Sequence, residues 1–175
     1  MTQLFQVFYP DLIIDSIYHI DLETLQKNDI KGLIIDIDNT LVAWDVKQAD
    51  ELSIQWIQRM KEKGIRVCLV SNNTRDRVIK FNEQLKLFAV HSANKPSKRP
   101  FLKALKHLET LPHQTAVIGD QVFTDVWGAN RLDMFSILVT PISPKEFPLI
   151  RIKRFFEKKV LKEYHAHNKK NKASR

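Results

Sequence analysis

Short apolar runs recur through the middle of the chain, at 33–37, 65–70, 88–91, 115–118 and 135–139. Several are continuous rather than alternating, the pattern of strands covered on both faces of a parallel sheet. Helical spacing fills the stretches between them. Over 49–63, Leu52, Ile54, Trp56, Ile57 and Met60 return at intervals near three and four, and Gly64 follows as a C-cap candidate. The stretches 75–87, 98–111 and 125–132 are predicted as the next three helices. Strands alternating with helices imply right-handed crossovers and an α/β, Rossmann-like three-layer sandwich with a mainly parallel central sheet. With no internal repeat and no Gly/Ser-rich linker, 1–148 reads as one domain.

Beyond Pro141 the pattern changes. Pro144 and Pro148 punctuate a helix start. Over 149–164, Leu149, Ile152, Phe155, Phe156, Val160 and Tyr164 fall at helical spacing. Arg151, Lys153, Arg154, Lys158, Lys159 and Lys162 fall largely on other faces, so within 149–175 the stretch 149–164 reads as a basic amphipathic helix. The final HAHNKKNKASR is expected to be a disordered polar tail.

Charge sharpens that division. Residues 1–150 hold 18 Lys and Arg against 18 Asp and Glu, whereas 151–175 hold 10 against 2, the whole net charge of +8. A local basic segment points to an anionic surface, phospholipid or nucleic acid, with a solvated tail as the plain alternative. At 175 residues and 43% hydrophobic, the chain is long enough for one substantial core. No apolar run approaches the roughly 20 residues of a spanning helix. The N-terminus lacks a basic n-region and a cleavage signal. The single cysteine, Cys68, sits in the apolar VCLV and is expected to be a buried core thiol. These features predict a cytoplasmic protein, with peripheral association at the inner membrane face as a further expectation.

The densest chemistry is Asp36-Ile37-Asp38-Asn39-Thr40, directly after the apolar LII. Two aspartates at i and i+2 on the lip of a strand would repel unless a cation joined them, and magnesium prefers such oxygen ligands. One could then attack phosphorus while the other moves a proton. An acidic loop with no catalytic duty is the plain alternative. Three later strand ends carry matching groups. Ser71-Asn72-Asn73-Thr74 offers a hydroxyl and amides at a helix start, suited to phosphate or to simple capping. Lys95 could neutralise a phosphoryl oxygen, and Asp120 and Asp125 in GDQVFTD could complete a metal site. Ligands of open α/β sheets gather at the carboxyl ends of strands, so four such ends in order argue for one phosphate-and-metal site.

With those residues in place, the sequence resembles the haloacid dehalogenase (HAD) superfamily of phosphatases. DIDNT matches its first motif, Ser71 its second, Lys95 its third and GDQVFTD its fourth. Tyr9-Pro10-Asp11, His19-Ile20-Asp21-Leu22 and Lys31-Gly32 narrow the resemblance to the subclass IIIA, YqeG-type branch. That branch is similar to mitochondrial phosphatidylglycerophosphate phosphatases. The resemblance implies that Asp36 is a nucleophile forming an aspartyl-phosphate and that Asp38 is the acid and base. It further implies Asp36, the Asp38 carbonyl and Asp120 as ligands of Mg2+. Asp125 would hold metal-bound water or orient Lys95, and Ser71, Asn72 and Lys95 would bind the phosphoryl group.

Spacing bears on the substrate. Only 34 residues separate Asp36 from Ser71 and 23 separate Ser71 from Lys95, each filled by one helix and one strand. Neither gap can hold a cap domain, and an open site suits a phosphate displayed on a membrane, a protein or a nucleic acid. The expected activity is magnesium-dependent phosphomonoester hydrolysis, on phosphatidylglycerophosphate or a related lipid head group. Competing expectations are an RNA- or ribosome-associated binding protein with little turnover, and a phosphatase of nucleotide, sugar or nucleic-acid phosphates. The expected partners are a phosphorylated substrate, large or membrane-displayed, and an anionic membrane surface. Nucleic acid ranks lower because no RNA-binding motif is visible.

Overall fold

The computed structural model describes residues 2–144 and 148–173. Six parallel strands form one sheet: β1 (Leu12–Ile14), β2 (Gly32–Ile35), β3 (Arg66–Val70), β4 (Phe88–Val90), β5 (Thr115–Gly119) and β6 (Phe135–Val139). Their spatial order is β1-β6-β5-β2-β3-β4. Helices α1 (Leu22–Lys27), α2 (Glu51–Glu62), α3 (Arg75–Asn82), α4 (Lys98–Leu108), α5 (Trp127–Asn130) and α6 (Pro148–Ala173) complete it.

Strand side chains alternate between faces, and both faces here are covered. Leu33, Ile35, Leu69 and Ile118 pack with Trp56, Ile57 and Met60 of α2 and Val78 and Phe81 of α3. Ile34, Cys68, Val70 and Val117 face the other way, onto Phe101, Ala104, Leu105 and Leu108 of α4. Double coverage is why the strands read as unbroken apolar runs. Cys68 is fully buried, and desolvation pushes its thiol up to about 12, so it is an inert core group.

The elements begin and end for local reasons. Asp50 caps α2 by accepting from the Ser53 amide at 2.8 Å, and Gly64 follows at φ 79°. Helix α3 stops at Asn82, short of the expected 87. The Asn82 side chain instead clasps both main-chain groups of Leu87, at 2.6 and 3.0 Å, closing a turn. Helix α4 ends at Leu108 rather than 111 because Glu109 turns left-handed, at φ 50°. The helix expected over 125–132 is instead a π turn, Val122–Val126, followed by α5. Strand β1 and helix α1 were not foreseen. Three residues of β1 at the sheet edge, paired with β6, carry too little period to stand out.

Helix α6 corrects one expectation. It runs to Ala173, so the polar stretch expected to be disordered is helical that far, while Ser174 and Arg175 lie outside the described residues. Its packed stripe is Glu157, Val160, Leu161 and Tyr164, with Arg154 half-buried at the head. Val160 joins Val122, Val126 and Leu138 in a small apolar cluster. Ile152, Phe155 and Phe156 are instead 59%, 57% and 51% exposed. The inward face combines the Val160 contact with an ion pair at the site, described below.

Candidate active site

Strand β2 lies between β5 and β3, where the direction of winding reverses. Loops diverge at such a point and leave a crevice at the carboxyl ends of the strands. The Asp36 amide donates to the Ile118 carbonyl at 2.9 Å, so the residue stays tied to β5 before the chain turns. The turn over 37–42 is closed by Leu41 to Ile37 and Asn39 to Val42 main-chain bonds. Asn39 stands at φ 61°, a conformation its short polar side chain tolerates.

Beyond β3, the Ser71 hydroxyl accepts from the Asn73 amide at 3.1 Å and lies buried at the floor of the crevice. Asn72 clamps the next loop: it accepts from the Lys95 amide at 2.7 Å and donates to the Lys95 carbonyl at 3.3 Å. At the end of β5, a Cβ on Gly119 would stand 2.2 Å from the Asp125 carboxyl carbon. Only glycine lets Asp125 fold back over the strand end.

Lys95 is almost wholly buried and donates to Asp36 at 2.7 Å and Asp125 at 2.6 Å. Burial alone would lower its pKa, but Asp125 and Asp36 outweigh burial and hold it raised, so it stays charged. Burial raises Asp36 to about 7, with Lys95 opposing and Asp125 reinforcing. Asp120 is raised by burial and then by the Asp36 charge, against the pull of Arg154. Asp36, Asp120 and Asp125 each offer an oxygen within 4.8 Å of the other two. Asp120 Oδ1 is buried without a hydrogen-bond partner. A hard divalent cation would neutralise the crowding and satisfy that oxygen, so the donor set fits one.

The structure brings Asp36, Ser71, Asn72, Lys95, Asp120 and Asp125 together as the sequence suggests. The Asp38 side chain is not in the carboxylate trio. It is held by Arg77, through Nη2 at 2.8 Å and Nε at 3.2 Å, and by Asn73 at 3.0 Å. Its main-chain carbonyl is therefore the group left for the ligand role expected of it. Asp38, Ser71 and Lys95 line one cavity of about 290 Å³, with Trp44 and Ile150 of α6 also on its wall. Among the described residues no cap covers it: α2 with β3, and α3 with β4, take up the two intervals between motifs.

Four contributors escaped the sequence reading. Arg77 lies one turn into α3, behind the Thr74 cap, so its side chain can reach back to the strand ends. Asn73 was overshadowed by its neighbour. Arg154 of α6 binds the Asp120 carboxylate and main-chain carbonyl, and Glu157 holds Arg154 at 2.8 Å. Glu157 also accepts from the Val122 amide at 2.8 Å. The one available signal was Glu157 itself, the sole acid among six bases over 151–162.

A buried carboxylate beside a buried lysine, with an acid-or-base aspartate and a cation-compatible trio, is equipped for phosphoryl transfer. Known proteins agree. The mitochondrial PGP phosphatase family matches residues 2–142. The probable phosphatase YqeG of Bacillus subtilis is 40% identical over 154 residues, 88% of this chain and 90% of that protein. Phosphatidylglycerophosphate phosphatase 1, chloroplastic/mitochondrial, of Arabidopsis thaliana is 24% identical over 91% of this chain, which spans 49% of that protein. The cobalt-bound deoxy-D-mannose-octulosonate 8-phosphate phosphatase of Haemophilus influenzae shares the fold. Its TM-score is 0.51 at 16% identity, covering 79% of this chain and 91% of that one. The chain belongs to the mitochondrial PGP phosphatase family and is a phosphatase of the HAD superfamily.

Proposed function

We propose that the protein hydrolyses a lipid-borne phosphomonoester, phosphatidylglycerophosphate or a close relative, at an anionic membrane surface, with Mg2+ as cofactor. The observation that carries this reading is the placement of α6. Its first turn supplies Ile150 to the uncapped catalytic cavity, and its outer face exposes Ile152, Phe155 and Phe156 among basic residues. Lys159 lies over both aromatic rings, 4.6 and 5.9 Å from their centroids. Such a face suits the boundary between head groups and acyl chains. A second cleft of about 650 Å³ adjoins the site between β6 and α6, walled by Leu138, Val139, Phe155 and Leu161. It also carries Arg151 and Lys158, a combination that suits an anionic lipid.

In this reading the Asp36 carboxylate attacks phosphorus, the phosphorus–oxygen bond to the alcohol breaks, and Asp38 protonates the leaving oxygen. Asp38 then takes a proton from water, whose oxygen bonds to phosphorus as the phosphorus–oxygen bond to Asp36 breaks, releasing inorganic phosphate and restoring the Asp36 carboxylate. Lys95 and Ser71 hold phosphoryl oxygens, and Arg77 with Asn73 keeps Asp38 in place. Asp36, Asp120 and the Asp38 carbonyl would hold the cation, with Asp125 orienting Lys95. The cation supplies charge stabilisation of the transferring group.

The test is phosphate release from phosphatidylglycerophosphate in mixed vesicles, beside nucleotide and sugar phosphates, with magnesium or with chelator. The lipid should give the highest kcat/KM, and chelator should abolish release. A soluble phosphate preferred by tenfold or more overturns the lipid assignment. Full release in chelator overturns the cofactor assignment.

A further inference from the structure

We propose that Arg154, held by Glu157, is a positioning residue that aims Asp120 at the cation, so that the last helix completes the metal site. This rests on the metal-dependent reading above. Three observations carry it. Arg154 grips Asp120 twice, at carboxylate Oδ2 and at the main-chain carbonyl, which fixes the rotation of the side chain. The other oxygen, Oδ1, is buried with no hydrogen-bond partner, an arrangement that favours a ligand at that atom. Glu157 binds Arg154 and the Val122 amide together, so one acid ties the helix to the loop that bears Asp120.

The rival interpretation is that the guanidinium stands in for the cation and must leave before the cation binds. A stand-in would satisfy the oxygen that the cation uses. Arg154 occupies the opposite oxygen and leaves Oδ1 unpartnered, while Lys95 bridges Asp36 and Asp125. Partners that orient a metal-binding carboxylate commonly contribute about 10- to 100-fold in metal affinity. The two interpretations predict opposite signs: losing a positioning residue weakens cation binding, and losing a competitor tightens it.

The experiment is calorimetric titration of magnesium into the full-length chain, comparing wild type with Asp120→Asn, Arg154→Ala, Arg154→Lys and Glu157→Gln. Melting temperatures in chelator report on folding of each variant. Asp120→Asn should remove most of the binding. Arg154→Ala should weaken it about 10- to 100-fold, and Arg154→Lys should recover part, since a lysine keeps the charge but not the two-pronged grip. Glu157→Gln should fall between wild type and Arg154→Ala, and carries the same test with Arg154→Lys if Arg154→Ala does not fold. Affinity unchanged or tightened in the Arg154 variants, with Asp120→Asn still defective, overturns the positioning role and leaves the metal reading standing. Binding indifferent to Asp120→Asn overturns the metal reading itself, and the role of Arg154 with it.

Discussion

Two cations reach the same carboxylate cluster from different parts of the chain, and they are held in opposite ways. Lys95 comes from the loop after β4, nearly enclosed and bonded to Asp36 and Asp125. Arg154 comes from the last helix, half-exposed and bonded to Asp120 and Glu157. The first is built into the sheet, where strand ends fix the backbone and the amide of Asn72 clamps the loop. The second depends on how a helix docks. Chemistry at the strand ends is thus secured by the core, whereas the Asp120 side of the site rests on a helix anchored through Val160 and Leu161. A lesion in the first region should cost turnover outright, and one in the second should tune it.

The largest effects belong to the sheet side. Asp36→Asn keeps the size of the side chain but removes the attacking charge, and turnover should fall by several orders of magnitude. Lys95→Ala should lower kcat by roughly 100- to 1000-fold, the usual loss of a transition-state charge stabiliser. It also leaves two buried carboxylates without their cation, so the metal-free protein should lose about 3–5 kcal/mol of stability. Steady-state kinetics and chemical denaturation in chelator check both. A Lys95→Ala protein that kept its stability would erase the contrast with Arg154. Gly119→Ala probes the same region without touching a charged group. The added carbon meets Asp125 at 2.2 Å, and displacing that carboxylate should release Lys95 and remove most of the activity.

A second test sharpens the comparison through pH. Asp36 has its folded pKa raised to about 7, above the unfolded value near 3.9. Between those values the folded state binds more protons than the unfolded, so this group makes metal-free stability fall as pH rises from about 4 to about 7. Asp120 and Glu157 are raised as well and act in the same direction. Denaturation in chelator across this range should show the decline, and Asp36→Asn should flatten it. Magnesium should offset the decline near pH 7. Stability that climbs from pH 5 to pH 7 in chelator, equally in wild type and Asp36→Asn, would refute this account.

Smaller still is Arg77→Ala. Arg77 orients Asp38 but touches no member of the carboxylate trio in its described bonds, and Asn73 remains as a second partner. A loss of about tenfold in kcat is expected, below the roughly 100- to 10,000-fold that general acid–base catalysis itself contributes. Asp38→Asn should cost clearly more. Equal losses in the two variants would make Arg77 a participant in its own right.

The legibility of the molecule follows the same divide. The sheet, its parallel order and the four strand-end motifs were visible because doubly buried strands leave continuous apolar runs, and because their chemistry is compressed into short segments. Arg77 was hidden because a helical arginine near a cap looks solvated until the strand beside it is known. Arg154 was hidden for a stronger reason. Its helix carries six bases over 151–162, and nothing local separates the one that turns inward from the five that do not. The hydrophobic spacing left open which face of the helix docks, because periodicity weighs apolar residues and cannot weigh a buried ion pair 34 positions apart in sequence. Boundary errors at α3 and α4 have a similar source, since Asn82 and Glu109 end their helices by turn geometry rather than by a change of hydropathy.

The smallest effect on the fold, and the one most specific to the proposed membrane face, concerns the aromatic rim. Ile152 and Phe156 are more than half exposed and make no part of the apolar cluster around Val160. Replacing both with serine should leave the melting temperature in chelator almost unchanged, because exposed substitutions usually stay within about 0.5 kcal/mol. On a membrane the same change should be large. Each such side chain, fully buried, is worth about 1.5–3 kcal/mol, and each basic residue beside an anionic surface adds about 1 kcal/mol that salt screens. Co-sedimentation with phosphatidylglycerol-containing vesicles should therefore drop sharply in Ile152→Ser/Phe156→Ser, and high salt should weaken the wild type further. Neutral vesicles should bind weakly in both proteins. Binding that ignores lipid charge and survives the double substitution would assign the exposed face of α6 to something other than a bilayer, and would leave this helix its inner contributions to the site, Ile150 on the cavity wall and Arg154 with Glu157 at Asp120.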